Sequence, residues 1–168
     1  LASTQTFAET FTRAAEHVDV LVLNAGTMTY GYEETEDGLE KTFGVNVVAH
    51  LALVRWLVPV MATSRASDPS RVVIVSSYGH RLFTTKPKLD ANNLILTKER
   101  FHVPMVHTLE AYANSKVADI LLAREISRRY RREHNIVAFS LHPGLIATEL
   151  GTVRADTPDA TLLDHVSA

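Results

Sequence analysis

The chain has 168 residues, of which 46% are apolar and 21% are charged, and its formal net charge is −2. This length suits one domain over residues 1–168, and the weak charge gives no reason to expect a nucleic acid or an anionic membrane as partner. The sequence contains no cysteine, which excludes disulfides, thiolate metal sites and a cysteine nucleophile and favours a cytoplasmic location.

The first predicted elements are a helix and a buried strand. Ser3 or Thr4 could cap a helix that runs to about Glu16. The apolar run 18–23 predicts a strand of a parallel sheet that is buried on both faces, and the turn at 24–26 ends it.

Helical sequence returns over residues 33–63, with a break at Gly38 and a kink or an early end at Pro59. The apolar part of this stretch carries Asn46 and His50. These polar residues favour a buried helix over a membrane span.

The second half of the chain opens on the clearest strand, residues 71–75, which is followed by Ser76 and Ser77. Residues 78–109 lack a firm period and predict a long irregular segment with one helical turn. Long segments of this kind are often functional.

The strongest helix is predicted over residues 110–133, with apolar residues along one side. Residues 136–141 predict another buried strand, and a final helix is expected to begin near Thr157 and Pro158. Strands that alternate with helices predict a parallel sheet covered on both faces. Such sheets bind ligands outside the carboxyl ends of their strands.

Tyr112 and Lys116 are four positions apart on the predicted helix, so their side chains share one face. A free phenol ionises near pH 10, but a neighbouring ammonium stabilises the phenolate and would let Tyr112 act as a general acid or base. Such a pair alone is a weak signal, and a surface pair is the alternative. Ser77 strengthens the functional interpretation because it stands directly after a predicted strand.

Four segments resemble, in order, the signatures of the short-chain dehydrogenase/reductases: residues 20–26 (VLVLNAG), 73–77 (VIVSS), 112–116 (YANSK) and 142–144 (HPG). Residues 35–46 (TEDGLEKTFGVN) extend the resemblance over nearly the whole chain. It implies an α/β, Rossmann-type doubly wound parallel sheet. It also implies an oxidoreductase that transfers a hydride between NAD(P) and an alcohol or carbonyl substrate.

The resemblance assigns catalytic roles to four side chains. Tyr112 would exchange a proton with the substrate oxygen, and Lys116 would stabilise its phenolate form and hold the nicotinamide ribose hydroxyls. Ser77 would polarise the carbonyl, with Ser76 as the alternative. Asn46 is similar to the family asparagine that holds a water for proton relay, and a capped kink in the helix is its alternative role.

The resemblance also implies a set of cofactor-binding residues. Glycine allows the backbone to approach a ligand closely. Besides Tyr112 and Lys116, the set comprises Asn24, Ala25 and Gly26 beside the adenosine half, and Pro143, Gly144, Ile146 and Thr148 over the nicotinamide and pyrophosphate. For Asn24 a purely structural role in the turn is the alternative.

Residues 76–81 further resemble the branch of retinol dehydrogenases and WW-domain oxidoreductases, which favours NADP over NAD. The expected partner is a small-molecule alcohol or carbonyl substrate, and a homodimer is a further expectation. No metal, nucleic-acid partner or membrane segment is expected in this chain.

The sequence lacks the family's glycine-rich pyrophosphate loop and the residue that selects between the two cofactors. Both would precede Leu1, and the family's last strand would follow Ala168. We therefore expect an incomplete Rossmann domain that belongs to a longer polypeptide. A catalytically silent nucleotide-binding or scaffolding homologue, or an inactive fragment of the enzyme, is the alternative. The complete set of Ser77, Tyr112 and Lys116 argues against a silent homologue.

Overall fold

The computed structural model describes residues 1–62, 68–83 and 92–144, together with 146 and 150. These residues form a three-stranded parallel sheet with helices packed on one face. In chain order the elements are α1 (Ala2–Ala14), β1 (Val20–Leu23), α2 (Lys41–Phe43), a π-helical turn (Gly44–Val48), α3 (Ala49–Met61), β2 (Ser70–Val75), α4 (Gly79–Leu82), a 3-10 turn (Lys98–Arg100), α5 (Pro104–His134) and β3 (Ile136–Leu141). The final helix predicted near Thr157 lies outside the described residues.

The strands stand in the order β1, β2, β3 and all run parallel. Connections between parallel strands are almost always right-handed, so helices that join successive strands in this order are expected on the same face. Helices α3 and α5 do pack together against one face of the sheet. The core on that face is formed by Val54 and Leu57 of α3, Ile126 of α5, and Val72 and Ile74 of β2, all at most 2% exposed. The predicted α/β class with a parallel sheet is confirmed.

The predictions that β1 is buried on both faces and that β3 is a buried strand are wrong for the part of the chain that the structure describes. Val22, Val73 and Phe139 are register neighbours across the three strands, so they point to the same face. Val22 is 57% exposed and Phe139 is 55% exposed. Apolar residues on this face are typical of a sheet that has helices on both faces. Here α3 and α5 both lie on the opposite face.

Several helix ends differ from the sequence prediction. Helix α1 begins at Ala2, so Ser3 and Thr4 lie inside it and neither is its N-cap. The break predicted at Gly38 is present, and α2 begins three residues later. Helix α3 continues through Pro59 to Met61.

Helix α5 spans 31 residues and begins six residues before the predicted start. Pro104 occupies its first turn, where proline's missing N–H costs no hydrogen bond. Treating this proline as part of an irregular segment was therefore wrong. At the other end Asn135 adopts a left-handed conformation with φ of 51°, and its N–H donates to the carbonyl of Tyr130.

One helical stretch among the described residues, Lys41–Met61, is long and apolar enough to cross a membrane. Val54, Leu57 and Met61 of this stretch are at most 2% exposed and belong to the core that covers the sheet. This burial is typical of the central helix of an α/β domain, as the sequence predicted.

Glu40 caps α2, and we expect its removal to destabilise the fold. Its carboxylate accepts hydrogen bonds of 2.8 Å from the N–H groups of Thr42 and Phe43, and the residue is 3% exposed. Glu40→Ala leaves both N–H groups without this acceptor, so it should lower the free energy of unfolding by about 1–2 kcal/mol in urea denaturation. Glu40→Gln keeps an acceptor and should cost less; an equal loss would contradict the capping role.

The same residue predicts a pH effect. Burial raises the pKa of Glu40 above its usual value, against the opposing effect of the N–H groups of Phe43 and Thr42. The protonated form is therefore favoured by folding, and its stabilising contribution is complete below about pH 4.3 and is lost as pH rises through the folded pKa. Glu40→Gln should remove this part of the pH dependence of unfolding.

Candidate active site

The carboxyl ends of the three parallel strands place the predicted site residues along one edge of the sheet. Ser77 follows β2, and its hydroxyl accepts a hydrogen bond of 3.1 Å from the N–H of Gly79. A Cβ built on Gly79 would lie 3.3 Å from Ser77 Oγ and 3.4 Å from Cε1 of Tyr112. The serine hydroxyl and the tyrosine ring therefore converge on the same small residue, although 35 positions separate them in sequence.

Ser76 faces the opposite way and ties the sheet to α5. Its hydroxyl donates to the backbone carbonyl of Lys116 at 2.7 Å, and the residue is 5% exposed. Of the two serines, Ser77 is the one whose hydroxyl approaches Gly79 together with the Tyr112 ring. The choice of Ser77 as the functional serine stays a prediction.

Lys116 lies one helical turn after Tyr112 on α5, and both residues are buried. The ammonium of Lys116 is 5.7 Å from the centroid of the Tyr112 ring. It donates to the carbonyl of Val75, at the end of β2, and to Oδ2 of Asp119, each at 2.9 Å. Lys116 thus points toward the sheet edge, with its ammonium beside the ring of Tyr112.

Asn46 lies in the π-helical turn between α2 and α3 and is fully buried. Its Oδ1 accepts from the N–H of Thr27 at 2.8 Å, and its Nδ2 donates to the carbonyl of Thr27 and to Oγ of Ser115, each at 3.0 Å. The side chain thus links the loop after β1 to Ser115 of α5, whose hydroxyl donates to the backbone carbonyl of Tyr112. Its relay of a proton through water stays a prediction.

Gly26 marks a place where a ligand could approach these residues. A Cβ built on it would lie 3.5 Å from Oδ1 of Asn46 and 3.8 Å from Nζ of Lys116. Because glycine has no side chain, the space beside the lysine stays free. The backbone at Gly26 therefore lies close to the side chains of both Asn46 and Lys116.

The other predicted cofactor residues lie at the ends of the outer strands. Asn24 and Ala25 follow β1 and are exposed, and Ala25 also lines a cavity of about 490 Å³ that reaches α1 and α3. Pro143 and Gly144 follow β3 and are exposed, with Gly144 at φ of 90°, while Ile146 is 58% exposed. Thr148 lies outside the described residues.

His142 is the first residue of the motif at 142–144, and the sequence analysis gave it no role. It connects β3 to the loop after β2. Its Nδ1 accepts a hydrogen bond of 3.2 Å from the N–H of Tyr78, and the two rings lie 6.0 Å apart. This contact holds the residue after Ser77 against the end of β3.

Asp119 and His50 are polar residues near Lys116 to which the sequence analysis assigned no functional role. Asp119 is fully buried and binds Lys116, and His50 of α3 is 2% exposed with its Nδ1 3.9 Å from Oδ1 of Asp119. A carboxylate three positions after the lysine, on the apolar side of a helix, was the available signal for the ion pair.

A family model described as short chain dehydrogenase matches residues 1–84, which is half of the chain. The chain is 38% identical over 147 residues to a WW domain-containing oxidoreductase of Gallus gallus, covering 86% of this chain and 33% of the relative. It is 35% identical over 151 residues to retinol dehydrogenase 13 of Homo sapiens, covering 90% of this chain and 42% of the relative. The chain therefore spans a third to two fifths of the length of these curated relatives.

Among solved structures, a Pseudomonas aeruginosa RhlG/NADP active-site complex superimposes with a TM-score of 0.63 at 22% identity, over 98% of this chain and 57% of that one. This similarity supports the Rossmann-type fold. The names of the curated relatives confirm the branch that residues 76–81 indicated. With its sequence motifs at the strand ends and a family model that spans half of its length, this chain belongs to the short-chain dehydrogenases.

Proposed function

We propose that the protein containing this chain is an NAD(P)-dependent oxidoreductase that interconverts an alcohol and a carbonyl compound, with Tyr112 as the general acid and base. The observation that carries this proposal is the convergence of the Ser77 hydroxyl and the Tyr112 ring on Gly79, with Lys116 beside the same ring. A hydroxyl, a phenol and an ammonium at one edge of a sheet match the needs of proton transfer at a carbonyl oxygen.

Each side chain has a distinct task. In reduction, the phenol of Tyr112 gives its proton to the substrate oxygen; in oxidation, the phenolate takes the proton of the alcohol. Ser77 donates a hydrogen bond to the same oxygen and stabilises the negative charge that develops there. Lys116 stabilises the phenolate through its positive charge.

A bound nicotinamide supplies the hydride in reduction and accepts it in oxidation. The ammonium of Lys116, 3.8 Å from the position of a Cβ on Gly26, supports Lys116 as the residue that holds its ribose hydroxyls. Asn24 and Ala25 would lie along the adenosine half, and Pro143, Gly144, Ile146 and Thr148 would contact the nicotinamide and pyrophosphate. The similarity to retinol dehydrogenases and WW-domain oxidoreductases supports NADP over NAD as the cofactor. We further propose that the protein is a cytoplasmic homodimer.

The experiment is an assay of the full-length protein with NADP, NAD and a panel of alcohols and carbonyls. Because curated relatives are named retinol dehydrogenases, the panel includes retinol and retinal. Turnover of one pair with either cofactor is the expected result. Saturable cofactor binding without turnover on any member would instead favour a silent nucleotide-binding protein.

The two adjacent serines supply matched variants for this assay. Ser77→Ala removes one hydrogen-bond donor to the reacting oxygen and should lower kcat about 10²- to 10³-fold. Ser76→Ala removes the buried bond to the carbonyl of Lys116, so it should mainly lower stability, by about 1–2 kcal/mol in urea denaturation. The assignment is wrong if Ser76→Ala, corrected for folded protein, loses more turnover than Ser77→Ala.

A further inference from the structure

Three buried polar side chains lie next to one another between α3 and α5, and we call them the His50–Asp119–Lys116 cluster. The residues are 2%, 0% and 4% exposed, in that order. Asp119 and Lys116 lie one turn apart on α5, whereas His50 comes from α3, directly after the π-helical turn. The cluster therefore joins the two helices that cover the sheet.

The ion pair within the cluster holds the ammonium in place. Lys116 Nζ and Asp119 Oδ2 are 2.9 Å apart, and the carbonyl of Val75 accepts a second hydrogen bond of 2.9 Å from the same ammonium. An ammonium has three N–H donors. With these two acceptors among the described residues, one donor remains for a ligand.

The His50 ring and Oδ1 of Asp119 are complementary polar groups, because the ring can donate a hydrogen bond and the oxygen can accept one. Within the described residues, neither ring nitrogen of His50 nor Oδ1 of Asp119 has a hydrogen-bond partner. Buried groups without partners are costly. His50 Nδ1 and Asp119 Oδ1 are 3.9 Å apart, so a movement of about 1 Å would bring donor and acceptor within hydrogen-bond distance.

We propose that Asp119 and His50 are positioning residues for Lys116. His50, with a proton on Nδ1, donates to Oδ1 of Asp119 and fixes the carboxylate. Oδ2 of that carboxylate then holds the ammonium beside Tyr112 and the ligand.

This proposal rests on the proposed function for what Lys116 does, but the cluster can be tested without turnover. The variants are His50→Leu, His50→Asn and Asp119→Asn in the full-length protein. Glu110→Gln is the matched control, because Glu110 is a carboxylate on α5 that is also 3% exposed. The readouts are the Kd for NADPH and NADH by fluorescence titration and kcat per folded molecule.

His50→Leu and Asp119→Asn should each raise the cofactor Kd and lower kcat by roughly 10- to 100-fold, the range found for residues that orient metal ligands. His50→Asn retains a donor near the position of Nδ1 and should recover much of the loss. Glu110→Gln should leave both constants nearly unchanged. A purely structural role would lower the folded fraction and leave the Kd of the folded protein unaltered, and that result would overturn the proposal.

A measurement on the wild-type protein covers the case in which a variant does not fold. In ¹⁵N-histidine-labelled protein, NMR should find a proton on Nδ1 of His50 that exchanges slowly with water. An Nδ1 without a proton would overturn the proposal, whether or not the protein turns over a substrate. If the cluster passes this test and no substrate reacts, the positioning role stands and the proposed function fails.

Discussion

Replacing Tyr112 by phenylalanine in the full-length protein is expected to lower kcat by about 10²- to 10⁴-fold, the usual contribution of a positioned acid or base. Phenylalanine keeps the ring that lies beside Gly79 and Lys116 and removes only the hydroxyl that exchanges the proton. The cofactor Kd should therefore change little. Steady-state kinetics and a fluorescence titration of the same preparation measure both quantities.

Tyr130→Phe is the matched control for this variant, because Tyr130 also lies on α5 but is far along the helix from the sheet edge. It should retain wild-type kinetics. If Tyr112→Phe keeps most of its activity while binding cofactor normally, Tyr112 is not the proton donor.

Replacing Lys116 by methionine should have the largest effect on stability, a loss of about 3–5 kcal/mol in the free energy of unfolding. Methionine fills the space of the lysine stem but leaves the carboxylate of Asp119, which is fully buried, without its ammonium. Urea denaturation of the full-length protein measures the loss.

The double variant Lys116→Met/Asp119→Leu separates stability from catalysis. Replacing a whole buried ion pair by apolar side chains is often neutral or stabilising, so stability should return toward the wild-type value. Turnover should not return, because the positive charge beside Tyr112 is still missing. A double variant as unstable as Lys116→Met alone would show that the ion pair is not the cause of the loss.

The sequence predicted the strands and the long helix because their signals are local. β2 has consecutive β-branched residues, and Ile136–Leu141 is a strand with the predicted bounds. It could not predict which helix ends use a side-chain cap. Helix α1 has none, whereas the buried Glu40 caps α2.

The uncovered face of the sheet shows a further limit of the sequence pattern. Val22 and Phe139 are apolar because strands of this kind have helices on both faces, yet the described helices cover only the other one. A run of apolar residues indicates that a strand is suited to burial on both faces. It does not indicate which elements of the same chain bury each face.

The placement of the candidate site residues was predictable where they stand at strand ends or one helical turn apart. Parallel strands bring their carboxyl ends to one edge, and this placed Ser77 near the helix that carries Tyr112 and Lys116. His50 and Asp119 were not predictable together, because they lie on different helices and 69 positions separate them. Only their packing brings them to 3.9 Å.

The most direct test of the proposed chemistry is a crystal structure of the full-length protein with cofactor and an unreactive substrate analogue. The account predicts that the phenol of Tyr112 and the hydroxyl of Ser77 both lie about 2.6–3.2 Å from the analogue's reacting oxygen. It also predicts that Lys116 contacts the ribose of the cofactor. An analogue whose oxygen binds elsewhere, with Tyr112 and Ser77 contacting only protein atoms, would contradict the account.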